Sequence, residues 1–468
     1  MTDESLNPEF GAALGKFARE LVSHDDYFVI SHHDADGITS CAITVDLLRS
    51  LGKRVEYESM KQIDSATVDR IREHAGKTIV LTDFGSGHHS LLEEHGIKDY
   101  FVIDHHPPEK EYPRQINPHY FGYSGGSDVS GAGMAYFVAK ALGRKDMAHI
   151  AVVGAVGDMQ DSRGALESIN RIILQDAIEA GTIRLEKDIR MFGRQSRSLT
   201  QMLAYSSDPL IPGLTGNPPA CSQFLESLGI ALKNGGGQWR SYVELAQDER
   251  QTLTSAIYIK LLDSNVPEFI IHGMFGEVYT LPLEEFKTEL ADSKEYATVL
   301  NACGRQGEPN IGVEVCLGDR GENWHKARNL LEKHRRLLAE GLEYLTESGT
   351  QQLSHLSFFD AGPAIKESII GVIAGMAYGA KLIPADKPII AFAADANDAS
   401  FLKVSARANW ALVNSGIHLG KAMTHCSKEC GGEGGGHNIA AGARVPVDKK
   451  ATFLDCVNGM FASQLRKA

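Results

Sequence analysis

Apolar positions near the start of the chain recur at helical spacing. Phe10, Leu14, Phe17 and Leu21 fall on one face and predict an amphipathic helix. The pattern then changes to short unbroken apolar runs. Tyr27-Phe28-Val29-Ile30, Thr78-Ile79-Val80-Leu81 and Tyr100-Phe101-Val102-Ile103 each have the length of a buried strand, and residues 54–60 alternate like a strand. Helical stretches lie between them: 38–51, stopped by Gly52, and another capped by Asp64 or Ser65 and running to about His74. Strands alternating with helices predict a mostly parallel α/β sheet. Helices dominate from about 131 to 181.

The middle is less regular. Pro209, Pro212, Pro218 and Pro219 punctuate a loop-rich stretch, and Gly235-Gly236-Gly237 reads as a flexible joint. Residues 322–346 predict a long charged helix, with Leu330, Leu331, Leu337, Leu338, Leu342 and Leu345 on its apolar side. A second α/β pattern begins near Leu353, with strands at 356–359, 388–392 and 401–405, a helix over 365–378, and a last helix from about Lys449. The expected organisation is an N-terminal parallel-sheet domain (1–190), an inserted mixed or helical domain (191–350) and a smaller C-terminal α/β domain (351–468).

Composition narrows the function. A chain of 468 residues is too long for one ordinary core. The net charge of -13 argues against a broad basic surface that coats duplex nucleic acid, though not against a narrow groove gripping a few phosphates. No stretch approaches the roughly 20 apolar residues that span a bilayer. The start, with Asp3 and Glu4, carries no secretory pattern. Seven cysteines without a framework suit reduced thiols, so a cytoplasmic location is expected. Cys426 and Cys430 are spaced one helical turn apart; the reading favours free thiols there over a metal or redox role.

Three predicted strands run directly into metal-ligand chemistry. The first ends in His32-His33-Asp34-Ala35-Asp36-Gly37, the second in Asp83, the third in Asp104-His105-His106; Asp158 closes a fourth apolar run. Taken singly, each has an ordinary explanation as a turn, a helix cap or a polar strand exit. One parallel sheet would gather them all at its carboxyl edge, where ligands bind in open α/β sheets. Carboxylates with imidazoles suit two hard divalent cations, manganese in particular with magnesium as an alternative, and a bridging carboxylate holds such ions ~3.5–4 Å apart.

These motifs, in this order, resemble those of the DHH phosphoesterase superfamily, whose name is the tripeptide at Asp104-His105-His106. The resemblance implies metal ligation by His32, Asp34, Asp36, Asp83, Asp104, His105 and Asp158. It implies catalytic roles for Asp36 and Asp104, and for His106 at the phosphate. The C-terminal part resembles the DHH-associated substrate-binding domain at Gly434-Gly435-Gly436-His437, followed by Ala440-Ala441-Gly442. Glycines there would bring backbone N–H groups close to a phosphate, with Ser405, Arg407 and His437 as further donors. The His-x-Asp-x-Asp-Gly form and the long middle segment most resemble archaeal RecJ-like nucleases, including the GINS-associated branch.

The resemblance implies a manganese-dependent exonuclease on single-stranded DNA or RNA, with replisome GINS proteins as further partners. One rival is a phosphodiesterase for very short RNA, cyclic dinucleotides or a 3′-phosphonucleotide; a second is a non-catalytic replisome scaffold. Sequence-tolerant binding would need bases stacked on aromatic rings, and the sequence does not say which.

Overall fold

The computed structural model describes residues 6–206, 209–264, 266–379, 382–396 and 398–465; the acidic start at Asp3 and Glu4 lies outside them. The amphipathic helix forms as α1 (Pro8–Leu21). Asn7 opens it by accepting from the Glu9 N–H, and its buried face is Phe10, Leu14, Phe17 and Leu21.

There follow β1 (Asp26–His32), α2 (Ala35–Ser50), β2 (Arg54–Met60), α3 (Ser65–Glu73), β3 (Thr78–Thr82), α4 (His89–Glu94), β4 (Tyr100–Ile103) and β5 (Gln115–Ile116). The strands make one parallel sheet in the order β2-β1-β3-β4-β5. Because β1, β3 and β4 are neighbours, their carboxyl ends emerge side by side, about 4.8 Å apart from strand to strand. The α/β expectation holds.

Helix α2 starts earlier than its apolar spacing predicts, at Ala35 rather than 38. The Asp34 carboxylate accepts from the Gly37 N–H at 3.0 Å and so caps the helix, which places Asp36 in the first turn. Helix α2 is buried nearly all round, with α5 (Gly131–Ala141) and α6 (Ala148–Gly157) against it and α7 (Asn170–Glu179) beyond.

In the middle segment β6 (Arg184–Ile189) pairs antiparallel with β7 (Phe275–Thr280). Between them α8 (Leu199–Ala204), α9 (Pro218–Ser227), α10 (Gln247–Asp263) and α11 (Glu268–Gly273) enclose their own core, with Leu203, Leu225, Leu253 and Ile257 fully buried. Pro218 opens a helix rather than extending a loop, and Asn217 caps it. The three glycines at 235–237 form a tight turn, not a joint: Asn234 Oδ1 accepts from the Gly236 and Gln238 N–H groups, each at 3.0 Å.

The chain then returns to the first core through α12 (Ser293–Arg305) and α13 (Pro309–Cys316). Tyr296, Val299, Leu300 and Val313 join Ile38 and Val152 there. Two compact units result, Met1–Leu331 and Glu332–Ala468. Their boundary falls inside α14 (Glu322–Ser348), whose Leu331 belongs to the first core and Leu345 to a core of the second.

The second unit contains β8 (Gln351–Gln352), β9 (Ser357–Asp360), α15 (Glu367–Gly379), β10 (Ile389–Ala394), β11 (Phe401–Arg407), α16 (Trp410–Asn414), α17 (Leu419–Glu429), β12 (Glu433–Gly436), β13 (Ala440–Pro446) and α18 (Lys450–Leu465). Its mixed sheet runs β12-β13-β11-β10-β9-β8, with only β9 and β10 parallel. Residues of β10 alternate between two cores: Ile389, Ala391 and Ala393 meet α15, while Ile390 and Phe392 face the layer of α17 and α18. Among the described residues no helix is long and apolar enough to cross a membrane.

One expectation fails in this unit. The cysteines are not all free: Cys426 on α17 is bonded to Cys456 on α18, with Cα atoms 5.7 Å apart, while Cys430 stays a buried thiol. The two helices lie side by side, so the partner comes from the neighbouring helix and not from the next turn. Residues 433–436, which include the glycine run, form strand β12 paired with β13. Part of the need for glycine there is close packing, because a Cβ on Gly434 would lie 2.8 Å from the Met423 carbonyl oxygen of α17.

Candidate metal centre

His32 is the last residue of β1, and its Nδ1 lies 3.0 Å from Asp34 Oδ2 and 3.7 Å from Asp83 Oδ2. Asp34 thus divides its oxygens, one capping α2 and one facing His32. Burial alone would raise Asp34, but the charge of His32 and the hydrogen bonds from His32 and Gly37 hold it well below the usual carboxylate range. Asp36 accepts from the Gly131 N–H at 2.7 Å and the Ala132 N–H at 2.9 Å. Both belong to the first turn of α5, where free N–H groups favour a carboxylate.

Asp83 follows β3 in the left-handed region, with φ 62°. That conformation is costly for a residue with a Cβ, and here it accompanies a turn of the carboxylate into the cluster. Its N–H donates to the Ile103 carbonyl at 2.9 Å. Gly131 must be a glycine, because a Cβ would stand 2.7 Å from Asp83 Cβ and 2.8 Å from its Cγ.

Asp104 follows β4 and is fully buried. It accepts from the N–H groups of Ser86, His105 and His106 and from His106 Nδ1 at 2.9 Å. Burial opposes its ionisation, but the hydrogen bond and charge of His106 outweigh it and keep Asp104 ionised. His106 therefore presents Nε2 outward on a half-exposed ring.

His105 Nδ1 donates to the Gly125 carbonyl at 2.7 Å, since a carbonyl can only accept. Its Nε2 is thereby aimed at Asp83 Oδ1 (3.1 Å) and Asp36 Oδ2 (3.6 Å), as metal-ligating histidines are aimed by a backbone partner. Asp158 caps the end of α6. Its Oδ2 accepts from Gln160 Nε2 at 2.9 Å, and Asn170 Nδ2 steadies Gln160 at 2.6 Å.

The eight expected residues form three overlapping groups: Asp83, Asp104, His105 and His106; His32, Asp34 and Asp83; and Asp36, His105 and Asp158. Within each group one donor atom per residue lies within 4.8 Å of the others. Asp83 and His105 each belong to two groups, as ligands shared or set between neighbouring cations would. Burial, then the charge of Asp36, pushes Asp83 well above its usual range, and burial pushes Asp158 up to about 7. Asp83 Oδ1 is buried and accepts no hydrogen bond despite its nearness to His105. Such a concentration of negative charge is incomplete without a cation, and its oxygen and imidazole donors fit hard divalent ions.

One neighbour was not legible in the sequence. The last turn of α12 rests on the first motif: Asn301 Oδ1 accepts from the Ala35 N–H at 3.1 Å, and a Cβ on Gly304 would overlap the His33 carbonyl oxygen. Arg305 follows, its side chain half-buried and within the electrostatic influence of Asp34. Among the described residues it makes no hydrogen bond or ion pair. Nothing near Arg305 in the sequence carries a motif, and only packing brings it here.

The second unit aligns part of its expected set. Ser405 on β11 is level with Gly442 on β13, which is level with Gly435 on β12. Ser405 and Arg407 both lie over Gly371 of α15, where a Cβ would meet the Arg407 guanidinium and stand 3.1 Å from Ser405 Oγ. Gly434 turns instead toward α17. The carbonyl of Gly436 abuts Gly420 of that helix. His437 is exposed in the turn between β12 and β13, its N–H donating to the Ala440 carbonyl at 2.8 Å.

Three segments of the chain match known families. Residues 26–156 match the DHH family N-terminal domain, 191–275 the DHH-CID domain and 361–463 the DHHA1 domain. An uncharacterized protein of Methanocaldococcus jannaschii is 28% identical over 460 residues, covering 96% of each chain. RecJ from Thermus thermophilus, crystallised with Mn2+, shares the fold with TM-score 0.59 and 18% identity over 99% of this chain; this chain spans 56% of that protein. CDC45 from Entamoeba histolytica shares it with TM-score 0.62 and 13% identity, covering 97% of this chain and 98% of CDC45.

Proposed function

The chain belongs to the DHH superfamily of phosphoesterases, and on that premise we propose that it is a manganese-dependent phosphodiesterase that removes nucleotides from an end of single-stranded DNA or RNA. The observation that carries this reading is the set of overlapping donor groups joined through Asp83 and His105, with a buried Asp83 oxygen that accepts no hydrogen bond.

In this reading His32, Asp34, Asp36, Asp83, Asp104, His105 and Asp158 hold a pair of manganese or magnesium ions. When bound, such a pair acidifies water and neutralises charge on the phosphate. The chain's own groups do the rest. Asp36 is fixed by two backbone N–H groups and His105 by the Gly125 carbonyl, so the ligands are placed before substrate arrives. His106, oriented by Asp104, holds its Nε2 proton toward a phosphate oxygen. Arg305 offers a guanidinium to a non-bridging oxygen on the other side of the first motif. Ser405, Arg407, the glycines 434–436 and His437 bind a further phosphate of the substrate. Residues 1–190 act as the catalytic domain, 191–350 as the connecting domain and 351–468 as the substrate-binding domain. GINS-type replisome proteins are a second proposed partner.

The test is a product ladder. End-labelled single-stranded DNA and RNA of several lengths are incubated with manganese, and one terminus should be shortened stepwise, with chelator or Asp83→Ala abolishing the reaction. Hydrolysis that persists in chelator would end the metal reading. Cutting confined to substrates of two to four nucleotides would replace the exonuclease with a short-oligonucleotide phosphodiesterase.

A further inference from the structure

The middle segment carries a surface cavity of about 470 Å3, separate from the metal centre. Trp239, Arg197 and Lys287 border it, together with the hydroxyls of Ser198, Thr200 and Ser222. Trp239 is 53% exposed, although an indole ring gains from burial. It is held in place all the same. Lys287 Nζ donates to the Trp239 carbonyl at 3.2 Å and pairs with Glu244 at 2.8 Å, and Lys233 Nζ sits 4.7 Å from the ring centroid. The Arg197 guanidinium lies 5.3 Å from the ring of Tyr205, which is 58% exposed.

An exposed ring in a cavity lined by cations and hydroxyls is what a single nucleic-acid strand uses: rings stack on bases and cations meet phosphates. A protein partner would instead want an apolar centre with the polar groups at its rim. This lining has hydroxyls and amides where that centre should be.

The cavity is tied to the metal centre by one helix. On its wall the N–H groups of Gln195 and Ser196 donate to Glu295, at 2.8 and 3.2 Å, in the first turn of α12. The last turn of the same helix carries Asn301 and Arg305 beside the first motif. From 295 to 305 a helix rises about 15 Å, which a stacked strand covers in roughly four to five nucleotides at ~3.4 Å each.

We propose that this cavity anchors single-stranded nucleic acid, holding a base on Trp239 and its phosphates on Arg197 and Lys287 about four to five nucleotides from the bond being cut. The inference rests on the phosphodiesterase reading for its substrate class, and it adds a site that this reading does not need.

The experiment measures binding of labelled oligothymidylate and oligouridylate, of 3 and 15 nucleotides, to the full-length protein in chelator, by fluorescence anisotropy. Hydrolysis by the wild type with manganese is recorded separately. Trp239→Ala should weaken binding of the 15-mer roughly tenfold, with a much smaller change for the 3-mer. Trp239→Phe, which keeps a stacking face, should recover most of the loss, and Lys287→Ala should flatten the salt dependence of 15-mer binding. Wild-type affinity for the 15-mer in a folded Trp239→Ala variant overturns the proposal. So does equal weakening for both lengths, or a wild type that captures a protein partner through this face and binds no strand. If the wild type hydrolyses strands while Trp239 proves inert, the anchoring site falls and the enzymatic reading stands. If strands bind through Trp239 but are never cut, the reverse holds.

Discussion

Replacing Gly131 by alanine tests the metal centre without touching a ligand. The new Cβ would stand 2.7 Å from Asp83 Cβ and 2.8 Å from Asp83 Cγ, where ordinary contact begins near 3.4 Å. Something must therefore move by roughly 1 Å. Asp83 cannot yield easily, because its backbone is in the left-handed region and its N–H is bonded to Ile103. If α5 moves instead, the N–H groups of Gly131 and Ala132 leave Asp36. Either route displaces a carboxylate shared by two donor groups or one of its neighbours. Overpacking of this kind costs about 1–3 kcal/mol of stability, and a ~1 Å misplacement costs on the order of 100-fold in rate. The assay is thermal denaturation with and without manganese, alongside hydrolysis of a labelled strand. Gly131→Ala should melt cooperatively a few degrees below the wild type, show little manganese-dependent stabilisation and lose about 100-fold in kcat/KM. A variant with wild-type manganese stabilisation and rate would refute the claim that Asp36 and Asp83 are held against each other by that glycine.

Asp104→Ala should abolish hydrolysis while the far-ultraviolet circular dichroism spectrum is retained; full activity would remove Asp104 from the centre. Arg305→Ala should lower kcat/KM by about 10- to 100-fold with manganese stabilisation unchanged, and Arg305→Lys should recover part of it; a loss of manganese binding instead would show that Arg305 only supports the first motif. Arg407→Ala should raise KM more than it lowers kcat, and an unchanged KM would take Arg407 out of substrate binding. Burial, then the charge of Asp292, pushes Glu295 up to about 7 from an ordinary 4.5, so the folded state holds that proton more tightly than the unfolded chain. The stability this contributes is complete below pH ~4.5 and is lost as pH rises toward 7, by up to ~3 kcal/mol. Denaturant titrations at pH 5 and 7.5 should therefore differ less in Glu295→Gln than in the wild type.

The core of the site was legible because each part of it follows an apolar run that can only be a buried strand or helix. His32 ends β1, Asp83 and Asp104 come straight after β3 and β4, and parallel pairing is enough to make them neighbours. What periodicity could not show was anything decided by packing. Asp36 reads as part of a turn, and only the capping by Asp34 puts it inside a helix. Arg305 is far along the chain from every motif and arrives through the docking of α12. The run Gly434-Gly435-Gly436 has no side chains to alternate, so nothing in it signalled a strand; its partner β13 supplies the order. Cys430 is one helical turn from Cys426 in the sequence, whereas the partner of Cys426 is set by two helices sharing one face of the sheet.

The bond between Cys426 and Cys456 has a reach beyond the two helices it joins. All of β12, the turn at His437 and all of β13 lie within the ring it closes. Strand β12 is an outermost strand, and three of its four residues have no side chain to guard it. When such a margin frays, its bare amides can recruit a foreign strand. Here the frayed segment stays leashed at both ends to helices that have not moved, so re-zipping onto its own neighbour outpaces capture by a stranger.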